Sequence, residues 1–293
     1  MARGGYNPQL VQQMPRRMSA HPEIRPGQSV ELLKQLHILT RDGKMNQDSR
    51  RKLKQVYHLY HFIEPLLAEA LAAHPQIQLV DHGAGKSYLG FILYDLFFKN
   101  LAPAGTIFGI ETRDELVANS RRLADKLEFN RGMRFYNLSV AESIESERLP
   151  ERVDVVTALH ACDTATDDAI RFALKKQARF IVLVPCCQAE VAAVMRRNKQ
   201  RQLGDGISEL WRHPIHTREF GSHATNVLRC LQLESHGYQV SVTELVGWEH
   251  SMKNELIIAS YKDLPRRRPA ERLTGLLQTL GLEELAGRFF CGE

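Results

Sequence analysis

The stretch Val80-Asp81-His82-Gly83-Ala84-Gly85-Lys86-Ser87-Tyr88-Leu89-Gly90 decides the fold. The residues leading into it, QLVDHG from Gln78, read as a short apolar strand ending in a glycine turn. The residues leaving it, SYLGFILYDLFFKN from Ser87, read as a buried helix. Outward from this strand–turn–helix the same alternation repeats. TIFGIE (from Thr106), MRFYNL (from Met133), VDVVTALHA (from Val153) and ARFIVLVPCC (from Ala178) read as strands. DELVANSRRLADKL reads as a helix between two of them, and another helix opens near Thr164. YQVSVTELVG and NELIIASY supply two further strands. Strands separated by helices predict a mostly parallel seven-stranded sheet covered on both faces, an α/β Rossmann-like domain. Ligands bind such sheets beyond the carboxyl ends of the strands. Here those ends carry Asp81-His82-Gly83, Glu111, Leu138-Ser139, His160-Ala161-Cys162-Asp163 and Pro185-Cys186-Cys187.

Three nucleotide loops compete for the glycine turn. A phosphate loop needs a Gly separated by four residues from Gly85-Lys86-Ser87, and Val80 stands there. A dinucleotide fingerprint needs a third Gly where this chain has Tyr88. Asp81, two residues before Gly83, would repel a polyphosphate at the helix N-terminus. S-adenosylmethionine (SAM) has no phosphate, and its ammonium and sulfonium favour a nearby carboxylate. Gly83, Ala84 and Gly85 let the backbone approach such a ligand. Glu111, at the end of the second strand, is placed to accept both ribose hydroxyls; NAD enzymes share that feature. Leu138 and Ser139 end the third strand on the same side and join the candidate cofactor-binding set.

In this order, the segments DHGAGKSYLGFILYD, IFGIETRDEL, LHACDTATDDAI and VPCCQ resemble the class I methyltransferase domain of the methyltransferase-like protein 25 type. They are also similar to eukaryotic tRNA 2′-O-methyltransferases, whose corresponding segments read HLCG-x-ATD and CCHH. This chain has Asp163 where the tRNA pattern has Gly, and Gln188 where it has His. The resemblance covers about residues 50–261 and implies SAM as cofactor and RNA as substrate.

His160, Cys162 and Asp163 follow the fourth strand, where class I methyltransferases place substrate-contacting groups. His160 is also a candidate cofactor contact, and a neutral imidazole there can take a proton from an attacking hydroxyl or amine. Thr164, Thr166, Asp167 and Asp168 read as caps for the following helix. Cys186 and Cys187 end the fifth strand. Cysteines after strands four and five resemble the arrangement of RNA cytosine-C5 methyltransferases, which attack the ring with a thiolate. The full motifs of that group are absent, since Ala161 precedes Cys162. Lys253, between the last two strands beside Glu249, His250 and Asn254, is a candidate for phosphate binding or deprotonation, and Trp248 reads as core. The catalytic candidates are therefore His160, Asp163, Cys186, Cys187 and Lys253, with no metal site.

Charge is unevenly placed. Residues 1–54 hold eleven Lys/Arg and four Asp/Glu, a surplus of seven in a chain of net charge +5. A basic arm on a near-neutral body is a footprint of polyanion binding. Arg50, Arg51, Lys52 and Lys54 open a helix expected from about Ser49 to Ala73, and are the candidate RNA contacts. Five cysteines, two of them adjacent, make a poor disulfide framework and read as thiols in a reducing cytoplasm. No apolar run nears the roughly 20 residues that span a bilayer, and the start lacks a secretory h-region. Residues 1–30 read as a flexible basic tail, 31–76 as a helical extension, 77–262 as the SAM-binding domain, and 263–293 as a basic linker with a small helical tail. Residues 199–222 read as a polar insertion, followed by a helix over Ser222–Gly237. The expected function is methyl transfer from SAM to tRNA or rRNA, at a ribose hydroxyl or base nitrogen. Protein or small-molecule methylation, cysteine-dependent C5 methylation and non-catalytic SAM and RNA binding are the alternatives.

Overall fold

The computed structural model describes residues 23–159, 161–186, 188–198, 206–245 and 255–290. Two helices, α1 (Val30–Gln35) and α2 (Gln47–Ala73), lead into β1 (Gln78–His82). Helix α3 (Tyr88–Leu93) continues through a π-helical turn, Tyr94–Phe98, into α4 (Lys99–Leu101). Then follow β2 (Thr106–Glu111), α5 (Asp114–Lys126), β3 (Met133–Asn137), α6 (Val140–Ile144), β4 (Val155–Ala158), α7 (Thr164–Lys175), β5 (Phe180–Leu183) and α8 (Glu190–Asn198). A 3-10 turn at Gly206–Trp211, α9 (Pro214–Ser235), β6 (Tyr238–Glu244), β7 (Glu255–Tyr261), α10 (Arg267–Thr279), a second 3-10 turn at Glu283–Leu285 and α11 (Ala286–Phe289) complete the described chain. The seven strands form one sheet in the order β3-β2-β1-β4-β5-β7-β6, parallel except where β7 runs antiparallel to both β5 and β6.

The central strands β1, β2, β4 and β5 are mostly apolar and buried because both faces are covered, whereas the edge strands β3 and β6 carry polar, exposed residues. Successive side chains point to opposite faces. Leu79, Ile107, Val155, Phe180 and Val182 enter a core shared with α2 and α3. Their neighbours Val80, Phe108, Val156, Ile181 and Leu183 enter a second core with α6 and α7. A third, smaller core joins α8, α9 and α10 around buried Trp211. The part of the expected tail that is described, residues 23–30, lies against the domain. Ile24 is buried, and the Ser29 N–H donates to buried Asp95 at 2.7 Å. The Arg50, Arg51, Lys52 and Lys54 side chains lie on the exposed side of α2. Arg50 pairs with Glu23 at 3.0 Å and Arg51 with Asp48 at 4.0 Å.

Two local expectations need correction, and two short helices are not read from the sequence. The helix after the insertion starts at Pro214, eight residues before the Ser222 expected from sequence. Pro214 is pre-set for a first helical turn, and the turn is anchored by Thr217 Oγ1 donating to the Trp211 carbonyl at 2.7 Å. Helices α6 and α8 escape a periodicity reading, being only five and nine residues long. The Thr164–Asp168 segment does not cap α7. Asp163 is the N-cap residue and makes no side-chain capping bond there, while Thr166 Oγ1 donates back to the Ala161 carbonyl at 2.6 Å.

Candidate functional site

The carboxyl ends of the parallel strands form two unlike halves. In the first, the glycine turn leaves β1 in the left-handed region: φ is 65° at Gly83, 59° at Gly85 and 52° at Ser87. Glycine takes that geometry without a Cβ penalty. At Gly85 an added Cβ would lie 3.8 Å from the Arg113 guanidinium, an ordinary contact, so it is the positive φ that calls for glycine there. Asp81 and Thr157 are register partners on β1 and β4, and Thr157 Oγ1 donates to Asp81 Oδ1 at 2.6 Å. No other hydrogen bond to that carboxylate is formed among the described residues. Burial pushes the Asp81 pKa up to about 7, against the hydrogen bond from Thr157. The next residue, His82, points into the opposite packing layer. Its ring packs edge-on against Phe172, and burial holds it neutral with a pKa down at about 3.

Glu111 ends β2 and faces the same turn. Its Oε2 accepts from the Gly85 N–H at 2.8 Å, tying the acid to the glycine loop. Its Oε1 accepts from the Arg113 backbone N–H at 3.0 Å and from Arg113 Nε at 2.9 Å. Burial works to raise its pKa, but the Arg113 side chain and the backbone N–H groups of Arg113 and Gly85 outweigh it and hold it down at about 2. Sequence reasoning misses Arg113; a cation two residues after a strand-end acid is the available signal. At the end of β3, the Leu138 N–H donates to the Glu111 carbonyl at 3.3 Å. Ser139 is engaged in a reciprocal capping box with Glu142 at the start of α6, so its hydroxyl and N–H already have partners.

In the second half, polar side chains are bound to one another. Asp163, held at φ 49°, turns its Oδ1 to accept from the Ala189 N–H at 3.0 Å and thereby caps α8. The sequence marks Asp163 as a catalytic candidate; in the structure its carboxylate joins the segment after β4 to the one after β5. Asp167 is fully committed to Arg229 of α9, through Nε to Oδ1 at 2.7 Å and Nη2 to Oδ2 at 2.8 Å, with both side chains buried. The same Nη2 donates to the Asp163 carbonyl at 2.8 Å. Gln188 donates to Asn226 at 2.9 Å and accepts from Ser222 at 2.9 Å, and Asn226 in turn donates to Glu255. Sequence reasoning misses Arg229 and Asn226, whose role depends on partners across the fold. Cys162 and Cys186 form an isolated parallel bridge, with their Sγ atoms 3.3 Å apart. His160, Cys187 and Lys253 lie outside the described residues, as do Trp248, Glu249, His250 and Asn254.

A family model described as a methyltransferase domain matches residues 51–194, which takes in most of α2, the glycine turn, Glu111 and both cysteine-bearing strand ends. Among curated proteins, the chain is 23% identical over 246 residues to a glutathione S-transferase C-terminal domain-containing protein of Bos taurus, covering 75% of this chain and 35% of that protein. The Homo sapiens protein of that name is 25% identical over 151 residues, 51% of this chain and 21% of that one. The chain thus spans about a third of the first relative's length. Among solved structures, magnesium protoporphyrin IX methyltransferase of Synechocystis with bound SAH (S-adenosylhomocysteine) superposes with a TM-score of 0.45 at 14% identity, over 78% of this chain and 94% of that one. The N-terminal domain of human METTL16 with SAH gives a TM-score of 0.45 at 11% identity, over 79% of each chain. The 3-2-1-4-5-7-6 sheet with its antiparallel β7, together with the matched domain, makes this the Rossmann-like fold of class I methyltransferases.

Proposed function

We propose that this chain is a SAM-dependent methyltransferase whose substrate is structured RNA, tRNA or rRNA. The observation that carries the cofactor reading is Asp81: a buried carboxylate with one neutral partner, at the lip of a left-handed glycine turn. A phosphate at that position is repelled by the ionised acid, whereas an ammonium supplies a counter-charge that offsets the solvation lost on burial. Glu111 sits one strand away, tied to the turn through the Gly85 N–H and already ionised. It presents its oxygens to ribose hydroxyls once the exposed Arg113 side chain moves aside. When bound, SAM supplies an electrophilic methyl group carried on sulfur. The chain's own contribution is to fix the donor over the ends of β1 and β2 and to hold the acceptor beside the ends of β4 and β5. Positioning and exclusion of water then account for most of the acceleration.

The RNA reading is supported by the exposed Arg50, Arg51, Lys52 and Lys54 on α2. The HACD and PCCQ segments, similar to tRNA 2′-O-methyltransferases, favour direct attack by a ribose hydroxyl, with a base nitrogen as the other acceptor. His160 remains the proposed proton acceptor. The test is methyl transfer from labelled SAM to purified tRNA and rRNA, followed by digestion to nucleosides and mass spectrometry. A 2′-O-methylated or N-methylated nucleoside is the expected product. Labelled protein with unlabelled RNA would contradict the substrate, and a covalent complex on 5-fluoropyrimidine RNA would contradict direct attack.

A further inference from the structure

Cys162 after β4 and Cys186 after β5 have no part in the proposed methyl transfer, yet the fold places them side by side. Cys162 and Cys186 are parallel bridge partners, and their backbones are tied by the Asp163 N–H donating to the Cys186 carbonyl at 3.3 Å. Their Sγ atoms lie 3.3 Å apart, and Cys162 is exposed to solvent. Adjacent bridge positions bring Cα atoms within the span that a disulfide requires, so closing the bond calls for little backbone movement. The rest of the neighbourhood is braced. Asp163 caps α8, Arg229 holds the Asp163 carbonyl, and Gln188 is fixed to Asn226 and Ser222. Cys230, by contrast, is half-buried on α9, and burial pushes its thiol pKa up to about 12.

We propose that Cys162 and Cys186 are a modification site: a dithiol that a peroxide converts to an intramolecular disulfide across the acceptor half. The Cys162 thiolate attacks one peroxide oxygen; the S–O bond forms, the O–O bond breaks, and hydroxide leaves to become water. The Cys186 thiolate then attacks the resulting sulfenic sulfur; the S–S bond forms, the S–O bond breaks, and a second water leaves. The two sulfurs lose two electrons and hydrogen peroxide gains them. A dithiol reductant reverses the change. This chemistry does not depend on the cofactor or the substrate, so its failure would leave the methyltransferase reading standing.

The test uses the reduced full chain treated with hydrogen peroxide, denatured, alkylated and weighed intact. The chain has five cysteines. The expected result is that two of them escape alkylation after peroxide and recover it after reduction. Cys162→Ser and Cys186→Ser should each abolish the paired loss, and Cys187→Ser should keep it. Peptide mapping of the Cys187→Ser protein should then yield a cross-linked pair containing Cys162 and Cys186. That last measurement needs no altered residue within the pair, so misfolding of the two other variants does not blunt it. Five alkylated cysteines after peroxide, or a cross-link through Cys187, Cys230 or Cys291, would overturn the proposal.

Discussion

The two halves of the strand-end surface hold similar residue types in opposite conditions. In the β1–β2 half, the Asp81 carboxylate is buried with a single hydroxyl partner, and the chain beyond it turns through left-handed Gly83 and Gly85. In the β4–β5 half, the carboxylates of Asp163 and Asp167 are consumed by a helix cap and by a buried guanidinium. Asp81 has a neutral hydroxyl as its partner and Glu111 an exposed guanidinium, whereas Asp163 and Asp167 are bound to a helix N-terminus and to a buried arginine. The same residue type at a strand end therefore carries different meaning depending on what the rest of the chain brings to it.

The largest effect that could break this comparison lies at Arg229. Arg229→Met strands the Asp167 carboxylate in the core, and removing one partner of a buried pair costs roughly 3–5 kcal/mol. Urea denaturation should show a drop of that order in the midpoint-derived stability. Asp81→Asn should show no comparable drop at pH 8. The Asp81 pKa is raised above its unfolded value, so ionising it opposes folding, and that penalty grows as pH rises towards about 7. If Asp81→Asn unfolds the domain while Arg229→Met is tolerated, the two halves have been assigned the wrong way round.

Next in size is ligand binding. Asp81→Ala and Glu111→Ala should each weaken SAM binding about 10- to 150-fold, since each removes a charge-assisted hydrogen bond worth about 1.5–3 kcal/mol. Asp163→Ala should lose about 1 kcal/mol of stability as a helix cap, with SAM affinity unchanged. Calorimetry on the three folded variants sorts them. Equal weakening of affinity in all three would erase the distinction between the halves.

The first half should also reveal itself through protons. An ammonium beside Asp81 favours the ionised acid, so binding SAM at pH 6 should release a proton, and affinity should rise between pH 5.5 and 7. Binding enthalpies measured in buffers of different ionisation heat report that proton. Glu111, held at about 2, stays ionised throughout and adds nothing to the trend. A pH-independent affinity that persists in Asp81→Asn would show that the ligand does not meet this acid.

The smallest effect belongs to the basic face of α2. Neutralising Arg50, Arg51, Lys52 and Lys54 should flatten the salt dependence of RNA binding. The log–log slope should fall by about 0.7 for each single-strand phosphate that the side chains no longer neutralise. An unchanged slope would make these side chains a solvated surface.

The first half is legible in sequence because its logic is local. Asp81, Gly83 and Gly85 lie within five residues, and Glu111 closes the next strand, so spacing alone brings them to one rim. The sheet is legible for the same reason: its central strands are short runs of mostly apolar residues next to turns, and the more polar edge strands β3 and β6 still stand between turns. The second half is not, because its partners come from far along the chain. Asp167 meets Arg229 across 62 residues and Gln188 meets Asn226 across 38. Nothing in the periodicity of α9 marks those two residues as facing inward acids and amides. Asp163 reads as a catalytic group for the same reason: its use as a cap depends on α8, a helix too short to be read from its pattern.

The central claim, that the Asp81 turn is built for a cationic ligand, is tested most directly by titrating the full-length protein calorimetrically with SAM, SAH, NAD and ATP side by side. The expected result is saturable one-to-one binding of SAM and SAH, with NAD and ATP silent at the same concentrations. Saturable binding of NAD or ATP with no heat from SAM or SAH would contradict it.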